Sequence, residues 1–158
     1  MVDNIMFPTS VEWKQENAIS AGDGAAFLNI NGKNVVLFYL KALEAKITKN
    51  KQETRVVGRR AVGSKTTSWS GSGNMQIYEV TSAYKEIFLE YVNGGIDVYF
   101  SIQVTNTDLQ RGREVKLLTG CNFDEIIFAK LADDDSMLEQ DIPFTFDGAE
   151  LLEKFKTI

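Results

Sequence analysis

The chain has 158 residues, with 17 basic side chains against 22 acidic ones for a net charge of −5, no histidine, one cysteine and 44% hydrophobic residues. That composition suits one domain with a sizeable core, and the missing histidine removes the usual general base, the His-dependent nucleophiles and the commonest metal ligand. Cys121 alone forms no intramolecular disulfide or thiolate cluster, which fits a reducing compartment, and an excess of acid over base argues against a protein that grips nucleic acid through clustered Lys and Arg.

Residues 1–24 carry Asp3, Glu12, Lys14, Glu16 and Asp23 among short apolar pieces, so a continuous signal-peptide core is missing and export is not expected. The segment reads as an irregular arm anchored by Ile5, Phe7, Val11 and Trp13 and ordered only by a neighbour, breaking at Ala21-Gly22-Asp23-Gly24. Ala26 to Ile30 and Val35 to Leu40 flank Asn31-Gly32, whose tolerance of positive φ closes a two-residue hairpin. Val35 to Leu40 is also the longest uncharged apolar run, far too short to span a membrane. Leu43, Ala45 and Ile47 then alternate with Glu44, Lys46 and Thr48. A polar stretch from Lys49 to Lys65 follows, and Thr66 to Val80 resumes as strand, which predicts a long hairpin with a basic tip.

The period changes at Tyr84, Ile87, Phe88, Tyr91 and Val92, spaced i, i+3, i+4, i+7 and i+8. With Thr81 or Ser82 to cap its start and Gly94-Gly95 to end it, this is an amphipathic helix of about three turns. In a chain otherwise made of strands, its aromatic stripe must lie on the open face or mouth of the sheet. Val98, Phe100, Ile102 and Val104 alternate with polar residues as a strand with one wet face. Val115 to Leu131 reads likewise, with a bulge near Asp124-Glu125, as does Ile142 to Phe146. Turn clusters at Asn106 to Gly112 and Asp133 to Ser136 give the spacing of a sandwich or barrel, and Ala149 to Lys156 reads as a short second helix with Leu151, Leu152 and Phe155 inward.

Each motif that suggests chemistry has a plainer structural reading. Gly58 to Thr66 superficially resembles a phosphate loop, but Ser64 stands where the lysine is needed and a strand follows where a helix is needed, so a solvated hairpin tip fits better. Gly71-Ser72-Gly73, inside a strand, marks a bulge or a close backbone approach. The carboxylates Asp133, Asp134, Asp135, Glu139 and Asp141 suggest calcium, yet Leu138 and Phe144 occupy the positions where a calcium loop places its glycine and bidentate glutamate. Trp13 and Trp69 suit a sugar face less well than a core or an interface, and Cys121 reads as a small buried hydrophobe. No cofactor and no enzymatic activity are expected.

The charge distribution is the strongest feature. Residues 41–65 hold eight basic and two acidic groups, a local net of 8 − 2 = +6, while residues 121–158 hold ten acidic and three basic, a net of 3 − 10 = −7. The two segments either attract each other within one subunit or meet head to tail between subunits, which closes rings or grows filaments. A long hairpin also presents unpaired edges that call for a designated partner.

The run Ala45-Lys-Ile-Thr-Lys-Asn-Lys51, then Val57-Gly58-Arg59, Lys65 and Trp69-Ser-Gly-Ser-Gly73, resembles the XkdM-like phage tail tube proteins. So do Phe100, Gln103-Val104, Asn106, Asp108, Gly112, Leu117 to Cys121, Asp141, Phe144 and Phe146, so that the resemblance covers about residues 26–158. It implies a mainly β fold, a sandwich or barrel flanked by one helix, of the kind shared with type VI secretion tubes. It also implies hexameric rings that stack as the inner tube of a tail, with DNA or ions passing through and with sheath and baseplate proteins as further partners. Residues 1–24 would be an arm and residues 25–158 one domain, whose hairpin at about 45–69 reaches an adjacent ring. Arg55, Arg59, Arg60, Lys65 and Trp69 are then the candidate ring-stacking contacts, with Asp133, Asp134 and Asp135 as the acidic counterpart. A monomeric ligand- or carbohydrate-binding module, a carboxylate-only hydrolase, and a sheath subunit or baseplate adaptor are the rival readings.

Overall fold

The computed structural model describes residues 24–30, 33–36, 40–79, 82–133 and 137–156. The expected arm anchors, the capping Thr81, and Asp134 and Asp135 lie outside the described residues.

The elements in chain order are β1 (Gly24–Ile30), β2 (Lys33–Val36), β3 (Leu40–Thr54), β4 (Gly63–Tyr78), α1 (Ala83–Gly94), β5 (Phe100–Asp108), β6 (Gly112–Phe123), β7 (Glu139–Phe146) and β8 (Gly148–Glu153). The strands join in the order β2-β1-β5-β6-β7-β4-β3, with β8 also on β6, and every pairing is antiparallel. Ile30 pairs with Lys33, as the expected hairpin requires, while Asn31-Gly32 itself lies outside the described residues.

One strand divides the sheet into two layers. β6 keeps β5 on one side as far as Cys121, while on its other side it pairs with β8 up to Thr119 and then with β7 through Asn122 and Phe123. The change of partner falls at Gly120, where φ is +64° and a β-carbon would collide with Asp147. Asp147 is the single residue between β7 and β8, and its N–H donates to Thr119 O at 3.2 Å. A strand that bends between sheets makes the corner of a sandwich. Leu28, Phe100, Ile102 and Leu118 of one layer meet Met75, Ile77, Ile142 and Phe144 of the other in one buried cluster.

α1 seals one end of that cluster. Tyr84 meets Phe123 edge-on at 5.8 Å between centroids, Phe88 stacks on it at 6.1 Å, and Phe100 lies 4.3 Å from it. Only the first half of the expected stripe is buried: Val92 is 70% exposed and Tyr91 is exposed too. The helix ends as expected, with Gly95 left-handed and its N–H donating to Tyr91 O. Ser82 stands at the N-cap without a side-chain cap bond.

Four expectations are corrected. Residues 148–153 form β8 rather than a helix, because pairing with β6 satisfies backbone that the leucine spacing alone would have wound up; Leu151 and Leu152 are both exposed rather than inward. The polar stretch from Lys49 to Lys65 is mostly strand, since β3 and β4 pair with each other out to Thr54 and Gly63. The strand expected from Val98 begins at Phe100, and Val98 O and Asp97 Oδ1 instead accept from Asn122 Nδ2. β6 stops at Phe123 without a bulge at Asp124-Glu125: Asp124 N donates to Pro143 O, and irregular backbone follows.

Candidate assembly surface

The β3–β4 hairpin leaves the core gradually. Paired residues share a face, so Leu43 and Met75, Ala45 and Gly73, Ile47 and Gly71, and Lys49 and Trp69 form one stripe from the interior outward. Met75 is fully buried. At Gly73 and Gly71 the missing side chains make room for the rings of Phe144 and Phe146; a β-carbon on Gly73 would also sit 2.6 Å from Glu44 O. The close-approach reading of Gly71-Ser72-Gly73 is therefore the correct one. Farther out, Ile47 is 58% and Trp69 is 44% exposed, with Trp69 6.3 Å from Phe146. Beyond β7 the hairpin is held by its own ladder and by Asn50, whose Nδ2 donates to Ser68 Oγ and whose carbonyl accepts from Thr67 Oγ1, both at 3.1 Å.

The connection at residues 55–62 turns at Gly58, with φ +86° and Arg59 N donating to Val56 O at 3.2 Å. Arg55, Arg59 and Arg60 are exposed there, as is Lys65 at the start of β4. Among the described residues the ion pairs are Lys41–Glu139, Lys85–Glu79, Arg113–Glu153 and Lys116–Glu114, so none engages those four cations. Val57 is fully exposed between them, with Val56 and Val62 beside it. These valines escaped the sequence reading, although three apolar residues inside a basic run were visible as a signal.

The two charged segments meet within the subunit at Lys41 and Glu139, 3.1 Å apart, and only the acidic loop before β7 lies at the end of the layer away from the basic tip. β7 pairs with β4 from Phe146 on Gly71 to Glu139 on Tyr78. The loop before it is tied at that far end: buried Gln140 donates from Nε2 to Ile127 O at 2.8 Å and accepts from Ile127 N at 3.3 Å, and Glu79 N donates to Leu138 O at 2.9 Å. Asp133, exposed, belongs to this loop. β4 has 16 residues, a strand of about 50 Å, so basic tip and acidic loop sit at opposite ends of it and do not neutralise each other within one subunit. Exposed Ile127, Phe128 and Leu131 belong to the same loop.

Between the two layers, at the end away from α1, a cleft of about 720 Å³ runs along the root of the hairpin. Gly24 and Ala26 of β1, Leu43 and Ile47 of β3, and Leu118 and Phe146 line it. Cys121 is buried and inert by position: burial pushes its thiol up to about 12, while its Sγ donates to Leu118 O at 3.5 Å.

The family model described as phage tail tube protein matches residues 11–153. The chain is 37% identical over 143 residues to the phage-like element PBSX protein XkdM of Bacillus subtilis (strain 168), covering 89% of this chain and 95% of that one. Two solved structures share the fold at low identity. The SPP1 tail tube protein matches at 10% identity with a TM-score of 0.61, covering 85% of this chain and 78% of that chain. A chain of the sheath–tube complex of an extracellular contractile injection system matches at 11% identity with a TM-score of 0.60, covering 87% and 93%. A mainly β sandwich with one helix is thus the fold of tail tubes and contractile injection tubes alike, and this chain belongs to the phage tail tube protein family.

Proposed function

We propose that the chain is the structural, non-catalytic subunit of the tail tube of a phage or phage-tail-like particle, assembled in the bacterial cytoplasm. Copies join in rings of six, and the rings stack into a conduit for DNA or ions inside a sheath and above a baseplate. Residues 25–158 act as one tube domain, and the hairpin at about 45–69 reaches the next ring. The observation that carries this reading is polarity: Arg55, Arg59, Arg60 and Lys65, unpaired among the described residues, at one end of β4, and the loop of Asp133 at the other. Unlike ends suit heterologous contacts, which propagate, rather than a two-fold contact, which stops at a dimer. Asp134 and Asp135 join Asp133 as the acidic counterpart, and Trp69 gives the contact an apolar anchor. A net charge of −5 fits a passage through which nucleic acid moves without being held.

The double variant Arg59→Glu/Arg60→Glu tests the stacking contact. It is expected to leave the circular dichroism spectrum and melting temperature of the subunit unchanged and to abolish tubes in negative-stain micrographs. Reversing Asp133, Asp134 and Asp135 to lysine in the same chain is expected to restore them. Long tubes from the arginine variant alone would contradict the assignment.

A further inference from the structure

The cleft at the root of the hairpin has apolar walls but no occupant within the described residues. It separates β1 from β3, and β3 is the outermost strand of its layer, with no strand on its outer edge among the described residues. A row of unpaired N–H and C=O groups beside an apolar trough accepts an extended peptide whose side chains alternate between trough and solvent. Gly24 is itself part of the wall, packed so closely on Thr105 of β5 that a β-carbon would clash with its carbonyl, so the upstream chain is tethered at the cleft. Upstream lie two apolar pairs at strand spacing, Ile5 with Phe7 and Val11 with Trp13.

We propose that residues 5–13 of the same chain fill this cleft as a strand added to the free edge of β3, with Phe7, Val11 and Trp13 against Leu43, Ile47 and Phe146. The tether favours the chain's own segment over a second copy. The ten residues between Trp13 and Gly24 span up to about 35 Å, enough to reach any part of the trough, and a short tether supplies a local concentration of order millimolar. A separate copy at micromolar concentration competes poorly with that. Filling the trough covers Ile47 and the inner wall of the hairpin, which fixes the direction in which the hairpin leaves the body. The inference stands on the subunit alone and does not depend on the tube reading.

Trp13 reports on it directly. In the full-length Trp69→Phe variant Trp13 is the sole tryptophan, and it is examined at a dilution where sedimentation velocity finds a monomer. Its emission is expected to be blue-shifted, and its quenching by acrylamide severalfold weaker than in a synthetic peptide of residues 1–23. Adding Ala45→Lys, at an exposed position on the cleft wall, is expected to return both readings to peptide-like values with the circular dichroism spectrum unchanged. Peptide-like emission in the monomer before that substitution overturns the proposal, as does shielding that Ala45→Lys leaves intact. Shielding that appears only once tubes form also overturns it, assigning the cleft to a neighbouring copy.

Discussion

Gly73 shows how a single absent side chain shapes the surface. The ring of Phe144, itself fully buried, occupies the space a β-carbon would need, and Glu44 O closes the other side. Gly73→Ala is expected to destabilise the subunit by about 1–3 kcal/mol, since neither ring nor backbone has room to give. Gly58→Ala, at the tip where φ is +86° and nothing lies within 4 Å, carries only the conformational term of about 1 kcal/mol. Chemical denaturation of the two variants separates packing from strain, and equal effects would contradict this. Cys121 makes a pH argument of the same local kind. Its thiol is raised from 9.0 to about 12 by burial, with the negative charge of Asp147 adding to the rise and a backbone hydrogen bond from Ile102 opposing it. The folded state keeps a proton that the unfolded chain sheds near pH 9, so this contribution to stability is whole below pH 9 and is lost as pH rises toward 12. The native thiol is accordingly expected to resist a thiol reagent at pH 8 and to react fully in denaturant; rapid labelling of the folded protein would place it at the surface.

At the scale of elements, α1 is bound by half its length. Phe88→Ala is expected to cost roughly 2–3 kcal/mol through its lost contact with Phe123, whereas Val92→Asp is expected to change subunit stability by less than about 0.5 kcal/mol. Equal losses in thermal denaturation would mean that the whole stripe is packed. The contrast explains what the sequence could and could not reveal. The period of Tyr84, Ile87, Phe88, Tyr91 and Val92 and the left-handed Gly95 made the helix legible, but periodicity records which face is apolar and not how much of it finds a partner. The first hairpin and β5 were legible for a similar local reason, in turn chemistry and alternation. β8 was not, because Leu151, Leu152 and Phe155 fit a helical spacing, and only pairing with β6 decides against it. Within the candidate surface, the basic tip could be read from charge alone. The distance between that tip and Asp133 could not, being a property of strand order, and neither could a cleft between β1 and β3, strands far apart in the strand order that line the same space only in the folded subunit.

The whole molecule is a body with unlike ends. One end has α1, the loop pinned by Gln140 and acidic Asp133; the other has the cleft and a hairpin with exposed valines and four cations that are unpaired among the described residues. Exposed apolar residues occur at both ends, Val57 at one and Phe128 and Leu131 at the other, in the way an interface sets apolar contacts within a charged rim. Among the described residues neither end finds a partner within the subunit, which suits the proposed role in a tail tube. The most direct measurement is negative-stain electron microscopy of the concentrated, purified wild-type protein, with and without seeds of preformed tube. Annular particles and stacked cylinders of uniform diameter are predicted. A dispersed monomer that persists at millimolar concentration in the presence of seeds would contradict the account.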